Sequence, residues 1–376
     1  MANHLPWTHT LIATAICVLL SACSPKSTEP QHSSLALPQI QEGLPDELFQ
    51  GTERRRLAIE SSTSEWTLPE IQSVILVPRL WNPGQTITVA FKGGSQDLRA
   101  NIANAARLWE TTANIHFDFG NARAGATFRE WTESDIDYTA NVRIAFNSGT
   151  QGGYWSAIGQ ESIDRSIRTP DKPSMNFEAF DRKLPEDFRS IVVHEFGHVL
   201  GFEHEHQGPF STCEQEYRWD DDAGYVPTID SGSNAFIADP QSRHPGIYRV
   251  MGGSPNSWPR SRIDFNFRKF AYSSDLESST FDKLSIMKYH FDQWMYVNLT
   301  MSMASGCYSP QSTNISAQDQ QTALARYPRR ASDAKQVLDA RLSLAHRLLS
   351  QRNLAPEIKD TFTAATKSLS QQRNMY

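Results

Sequence analysis

Lysine and arginine never build a long run in this chain. The longest basic stretch is Arg54-Arg55-Arg56 and the formal net charge is −6, which argues against nucleic acid as a partner. Nowhere do some twenty apolar residues follow one another, so no segment reads as a membrane-spanning helix. No internal repeat is visible, which sets aside solenoids and propellers. Cysteine is scarce too, with four in 376 residues. Few covalent staples are therefore available, and the length suits one large or two modest domains around a sizeable buried core.

The N-terminus stands apart. Leu11–Leu20 (LIATAICVLL) is too short to cross a bilayer and has the length of a signal-peptide core, although the ten residues before it carry no Lys or Arg. Leu20-Ser21-Ala22-Cys23 follows and resembles the lipobox of bacterial lipoproteins. In a bacterial chain this resemblance implies cleavage before Cys23 and lipidation of its thiol and amine. With Ser24 rather than Asp next, it implies an outer-membrane lipoprotein facing the periplasm or the cell surface. An ordinary secretory signal cut after Ala22 is the alternative, and either way the chain is expected to be exported. Cys17 leaves with the signal, so Cys213 and Cys307 remain as one candidate disulfide or as two buried thiols.

Residues 24–45 are rich in Ser, Pro and Gln without periodicity and read as a flexible tether. Residues 46–75 are mixed, a candidate pro-segment or N-terminal arm. From Trp81 the patterning sharpens. Ile87, Val89 and Phe91 alternate as in a strand. Leu98, Ile102, Ala105 and Trp109 take helical spacing after a Ser95-Gln96-Asp97 start. Alternation returns at Ile115–Phe119 and Val142–Phe146, and Met175 and Phe177 suggest one more short strand. Leu184-Pro185-Glu186 opens a helix whose apolar stripe is Phe188, Ile191, Val192, Val199 and Leu200. Residues 207–280 are loop-rich, and Ser316-Ala317-Gln318-Asp319 starts a helix that should stop before Tyr327-Pro328. Stripes at Ala334–Leu349 and Ile358–Leu369 form a C-terminal αα-hairpin. The expected class is α+β, with a twisted mixed sheet, a loop-rich later part and the appended hairpin.

The chemistry is concentrated in residues 194–204, HEFGHVLGFEH. At i and i+4 of a helix, His194 and His198 share one face and can place two imidazole nitrogens about one zinc ion. Glu195 lies one residue round the helix, aimed at where a bound water would sit. Gly201 falls where a helix often ends in a left-handed residue, and the turn returns His204 as a third ligand. In a chain of this composition HExxHxxGxxH arises by chance on the order of once in several tens of thousands of chains. Three local ligands, with no fourth Cys or His at matching spacing, make the open coordination of a catalytic zinc rather than a closed structural one.

This signature is that of the metzincins. Its extension to HEFGHVLGFEHEH resembles the astacin family's HExxHxxGFxHEH, and Phe281-Asp-Lys-Leu-Ser-Ile-Met-Lys-Tyr289 resembles the astacin Met-turn. The resemblance covers about residues 78–328. It implies a metzincin zinc-protease fold, one zinc on His194, His198 and His204, Glu195 as general base, Met287 beneath the site and Tyr289 as a switchable fifth ligand that stabilises the oxyanion. One position of these motifs departs from the pattern. Lys288 stands where the Met-turn usually has His. The Glu matching Glu205 binds the trimmed N-terminal ammonium in that family, a contact an acylated Cys23 could not make without further processing.

The domains expected are a signal peptide 1–22, a tether and candidate pro-segment 23–77, a catalytic domain 78–328 and a helical extension 329–376. The function implied is a monomeric zinc endopeptidase that acts on proteins or peptides and is held to the membrane by its lipid. A non-catalytic zinc-containing adhesin or binding module on the same fold is the competing reading. Asp220-Asp221-Asp222 is expected to be a solvated loop rather than a calcium site, and His116, His206 and His290 lack ligand spacing.

Overall fold

The computed structural model describes residues 43–120, 127–149, 152–232, 234–254, 256–269, 280–300 and 303–376. The signal peptide, Cys23 and residues 24–42 of the tether lie outside them.

Two helices come first, α1 (Asp46–Ser62) and α2 (Leu68–Leu76). The second begins with a capping box in which Thr67 and Glu70 satisfy each other's backbone donors. Next follow β1 (Thr86–Phe91), α3 (Gln96–Ala106), α4 (Leu108–Thr112), β2 (His116–Asp118), β3 (Val142–Ala145), β4 (Tyr154–Ser156) and β5 (Met175–Phe177). Then comes α5 (Phe188–Val199), the helix that carries HEFGH. It begins three to four residues later than Leu184-Pro185-Glu186 suggests, because residues 184–187 form an extended stretch and a turn instead. The loop-rich part holds α6 (Cys213–Glu216), the small hairpin β6–β7 (Thr228–Ile229, Phe236–Ile237), α7 (Ile247–Gly252), α8 (Arg260–Phe267) and α9 (Val297–Thr300). Last are α10 (Ala317–Arg326), α11 (Ala331–Leu349) and α12 (Pro356–Arg373).

The fold is α+β. Its five-stranded sheet runs β2-β1-β3-β5-β4, with every pair parallel except the antiparallel edge strand β4 on β5. One sheet face packs against α3 and α5 through Val89, Phe91, Ile102, Val193 and Phe196, all fully buried. Phe117 meets Phe196 edge-on at 5.0 Å between ring centroids, which fixes α5 over the sheet. The antiparallel strand β4 escaped the alternation pattern because Tyr154-Trp155-Ser156 does not alternate apolar with polar residues as Met175-Asn176-Phe177 does.

Residues 46–76, the candidate pro-segment or N-terminal arm, pack against the C-terminal hairpin. Ile59, Trp66, Val74, Ile75 and Val77 form one buried cluster with Leu338, Leu342, Ala345, Leu348, Ile358, Phe362 and Leu369 of α11 and α12. The hairpin thus encloses a second core, to which α1, α2 and the residues that flank them contribute five of the twelve buried side chains. Few positions of α1 and α2 are buried and apolar and these are spread over two helices, which explains why residues 46–75 look featureless in sequence. Arg54-Arg55-Arg56 lies within α1, where Arg55 is buried in an ion pair with Asp164 and Arg56 pairs with Glu53 and Glu60.

If this second core carries the hairpin, Leu338→Ala, at a fully buried site where these helices meet, should cost about 2–5 kcal/mol in urea denaturation. A cost below 1 kcal/mol would mean that α1 and α2 only rest on the surface.

Candidate active site

Helix α5 ends in a Schellman arrangement. Phe202 N–H donates to Gly197 O (3.1 Å) and Gly201 N–H to His198 O (2.8 Å), with Gly201 at φ +84°. A side chain at Gly201 would be strained in that conformation and would also press on Leu80. The last carbonyls of the helix, which have no intrahelical donor, are taken up from elsewhere. Trp81 Nε1 donates to Val199 O (2.7 Å), Tyr327 OH to Leu200 O (2.8 Å) and Arg326 to Gly201 O (3.1 Å). This turn sends the chain back so that His204 faces His198.

The three imidazoles converge. His194 Nε2 lies 3.2 Å from His198 Nε2, which lies 3.1 Å from His204 Nε2. Four ligands about 2.05 Å from a tetrahedral zinc would sit about 3.3 Å apart. On the far side of each ring, Nδ1 meets an oxygen: Ile286 O for His194 (2.6 Å), Phe202 O for His198 (2.8 Å) and Gln207 Oε1 for His204 (3.0 Å). Carbonyl oxygens only accept, so each Nδ1 carries the proton and each Nε2 turns its lone pair inward. The donor set therefore fits a divalent ion such as zinc. His194, His198 and His204 form the one such metal-capable group among the described residues.

Support for these rings reaches outward. Gln207 holds its oxygen towards His204 because its amide N–H groups donate to the Phe265 and Arg268 carbonyls. Ile286, which accepts from His194, is fixed by Asp319 at the N-terminus of α10: Asp319 accepts from Ile286 N–H (2.9 Å), Ser285 OH (2.7 Å) and Ser316 N–H (3.1 Å). Burial pushes the Asp319 carboxyl pKa up, and these donors oppose it. Met287 is 1 % exposed and its sulfur lies against Gly197, where a Cβ would collide with it. Glycine inside HEFGH thus lets the Met-turn pass under the helix.

Glu195 is fully buried on α5 between the two helical histidines. Tyr289 is 5 % exposed, with its ring centroid 4.4 Å from that of His204 and stacked 4.2 Å from that of His206. His206 is wholly buried, and its Nε2 meets Asn266 O (2.9 Å), outside the triad. Glu205 accepts from Asp282 N–H (2.7 Å) and its own N–H donates to Met287 O, tying the third-histidine turn to the Met-turn. Cys213 and Cys307 form a disulfide buried in a third cluster with Tyr217, Phe267, Tyr289 and Tyr296. The acidic run is not a solvated loop throughout: Asp221 is bonded to Gly246 N–H and Arg249, and Asp222 to Arg218 and His244 N–H.

Gln207, Asp319 and Gly197 were missed as site residues. Gly197 stood inside the motif, but Gln207 and Asp319 act through contacts that no spacing rule announces.

Lys288 is buried, and its ammonium donates to Tyr289 O (2.9 Å). Burial, with Lys283 adding to it, lowers its pKa from 10.5 to about 8. A folded-state pKa below the unfolded one penalises the charged form, so this group costs stability below pH 8 and the cost fades as pH rises towards 10.5. Lys288→Met should raise unfolding free energy at pH 7 by about 2 kcal/mol, with the difference shrinking by pH 10. A pH-independent difference in chemical denaturation would contradict the assignment.

No protein-family model matches the chain, and no curated protein does. Among solved structures, one of myroilysin is 26 % identical and is matched over 67 % of this chain and 97 % of that one, at a TM-score of 0.44. A second myroilysin structure is 24 % identical over 67 % and 86 %, at 0.41. High choriolytic enzyme 1, a hatching enzyme zinc-protease from Oryzias latipes (Medaka fish), is 17 % identical over 65 % and 92 %, at 0.34. Scores this low leave the chemistry to be argued from the site itself.

Proposed function

We propose that this chain is a zinc-dependent endopeptidase of the astacin type. The observation that carries the reading is the convergence of three imidazole Nε2 atoms, each with its Nδ1 on an oxygen acceptor, beside a fully buried Glu195. His194, His198 and His204 would hold the ion. When bound, zinc supplies a Lewis acid that makes a water acidic near neutral pH and polarises a carbonyl.

The chain's own groups do the rest. Glu195 takes the proton of the attacking water and passes it to the amide nitrogen as the C–N bond breaks, leaving a carboxylate and an amine. The Glu195 side chain is fully buried on α5. The Tyr289 phenol donates to the oxyanion that develops on the former carbonyl oxygen. A zinc-bearing adhesin on the same fold would have no need of a general base, whereas this chain carries a carboxylate on α5 beside two of the candidate ligands. Export as a lipoprotein through Cys23 and a catalytic unit spanning residues 78–328 belong to the same proposal, and substrates are proteins or peptides.

Glu195→Gln should keep one zinc per chain, measured by metal analysis, while hydrolysis of denatured casein falls by about 10²–10⁴-fold. Equal activity in parent and variant would refute the role. Asp319→Ala should leave Glu195 intact yet weaken zinc about tenfold in chelator competition, by releasing the Ile286 carbonyl from its position against His194. An unchanged zinc affinity would confine Asp319 to capping α10.

A further inference from the structure

His206 has no part in the chemistry set out above, yet it is wholly buried between Tyr289 and the end of α8. Its Nε2 lies 2.9 Å from Asn266 O. A carbonyl only accepts, so Nε2 bears the hydrogen and Nδ1 keeps a lone pair. That lone pair faces the Tyr289 N–H at 3.5 Å. Both nitrogens are thus engaged, and the imidazole is held in one plane from two directions.

That plane lies against the Tyr289 phenol. The two rings stack with centroids 4.2 Å apart and 27° between their planes. Phe267 and Phe291 meet the same phenol edge to face, at 5.5 and 5.7 Å. The His206 face is therefore the surface against which the phenol cannot tilt without driving ring into ring.

The imidazole is supported in turn by α8. The carbonyls of Phe265 and Asn266 fall in the last turn of that helix, where the helix itself supplies no donor. Two neighbouring side chains answer them: Gln207 donates to Phe265 O and to Arg268 O beyond it, and His206 donates to Asn266 O. Asn266 is fixed as well, its Nδ2 donating to Arg262 O (2.8 Å). Gln207 turns its oxygen to His204, while His206 turns its face to Tyr289. One helix end thus steadies a candidate zinc ligand and the candidate oxyanion donor through adjacent residues.

We propose that His206 is a positioning residue for Tyr289: it carries the end of α8 to the phenol and sets the plane from which that group meets the oxyanion. The inference rests on the protease reading and on Tyr289 as its oxyanion donor. A displaced phenol would still leave the three zinc-facing imidazoles with their own acceptors. Loss of His206 is therefore a loss of turnover rather than of metal.

The test measures kcat and KM of the full chain, per bound zinc, on a fluorogenic peptide spanning a casein bond that the parent cuts. Three variants are compared with Tyr289 and with Tyr289→Phe. His206→Gln keeps a donor for Asn266 O but no ring, and His206→Phe keeps a ring without nitrogens. His206→Leu fills the volume with neither, and repeats the ring loss should His206→Gln not fold. With Tyr289 in place, the Gln and Leu variants should lose about tenfold in kcat at little change in KM, and Phe should recover most of that. Tyr289→Phe alone should cost about 10²-fold. On that background none of the three should lower kcat further, because His206 acts only through the phenol. Losses that multiply with Tyr289→Phe, an unchanged kcat without the ring, or a loss of zinc with it overturn the proposal and leave the protease. A parent that holds zinc and cleaves nothing sinks the protease reading, and the positioning role with it.

Discussion

Lone pairs from three neutral imidazoles repel one another when they point at one place, so the site exists only if something holds each ring against that repulsion. Here the holding is done from behind. The Ile286 and Phe202 carbonyls and the Gln207 carboxamide each take the Nδ1 proton, which settles the tautomer and the ring plane together. Each acceptor is in turn owned by a different part of the fold: the Met-turn, the Schellman turn and the loop that α8 closes. A rigid donor cage is what makes metal binding strong, because little reorganisation remains to be done on binding.

The same turns solve a second problem. A helix that ends in the middle of a protein leaves carbonyls without donors, and burying them bare would be costly. Trp81, Arg326 and Tyr327 answer them from segments more than a hundred residues away on either side. The end of α5 is thus clamped between the chain's early part and α10. Arg341 of α11 extends the clamp by donating to Trp81 O and Arg326 O. The C-terminal hairpin is consequently tied by hydrogen bonds to the residues that terminate α5.

Helices α1 and α2 share the hairpin's core, and the segment before them reaches the cleft. One element therefore has a structural end and an end beside the chemistry. That arrangement follows from elementary packing: helices α1 and α2 cannot bury their apolar positions alone, and the hairpin's apolar stripe offers the surface they need.

Local chemistry was legible in the residues by themselves. His194, Glu195 and His198 are placed by the pitch of a helix, Gly201 by the left-handed turn it alone adopts cheaply, and Ser316 and Asp319 by the capping box they form. Long stripes such as Ala334–Leu349 announced their helices for the same reason, since a 3.6-residue period needs no partner to be seen. Short or shared features were not legible. Strand β4, Tyr154-Trp155-Ser156, has no apolar and polar alternation to read, and the apolar faces of α1 and α2 make sense only beside α11 and α12. Asp319 supports His194 from 125 positions away through Ile286, and Leu44 lines the same pocket as His198 from 154 positions away. Such contacts are decided by which surfaces remain uncovered once the local elements have formed, and that is a property of the packed chain rather than of any stretch of it.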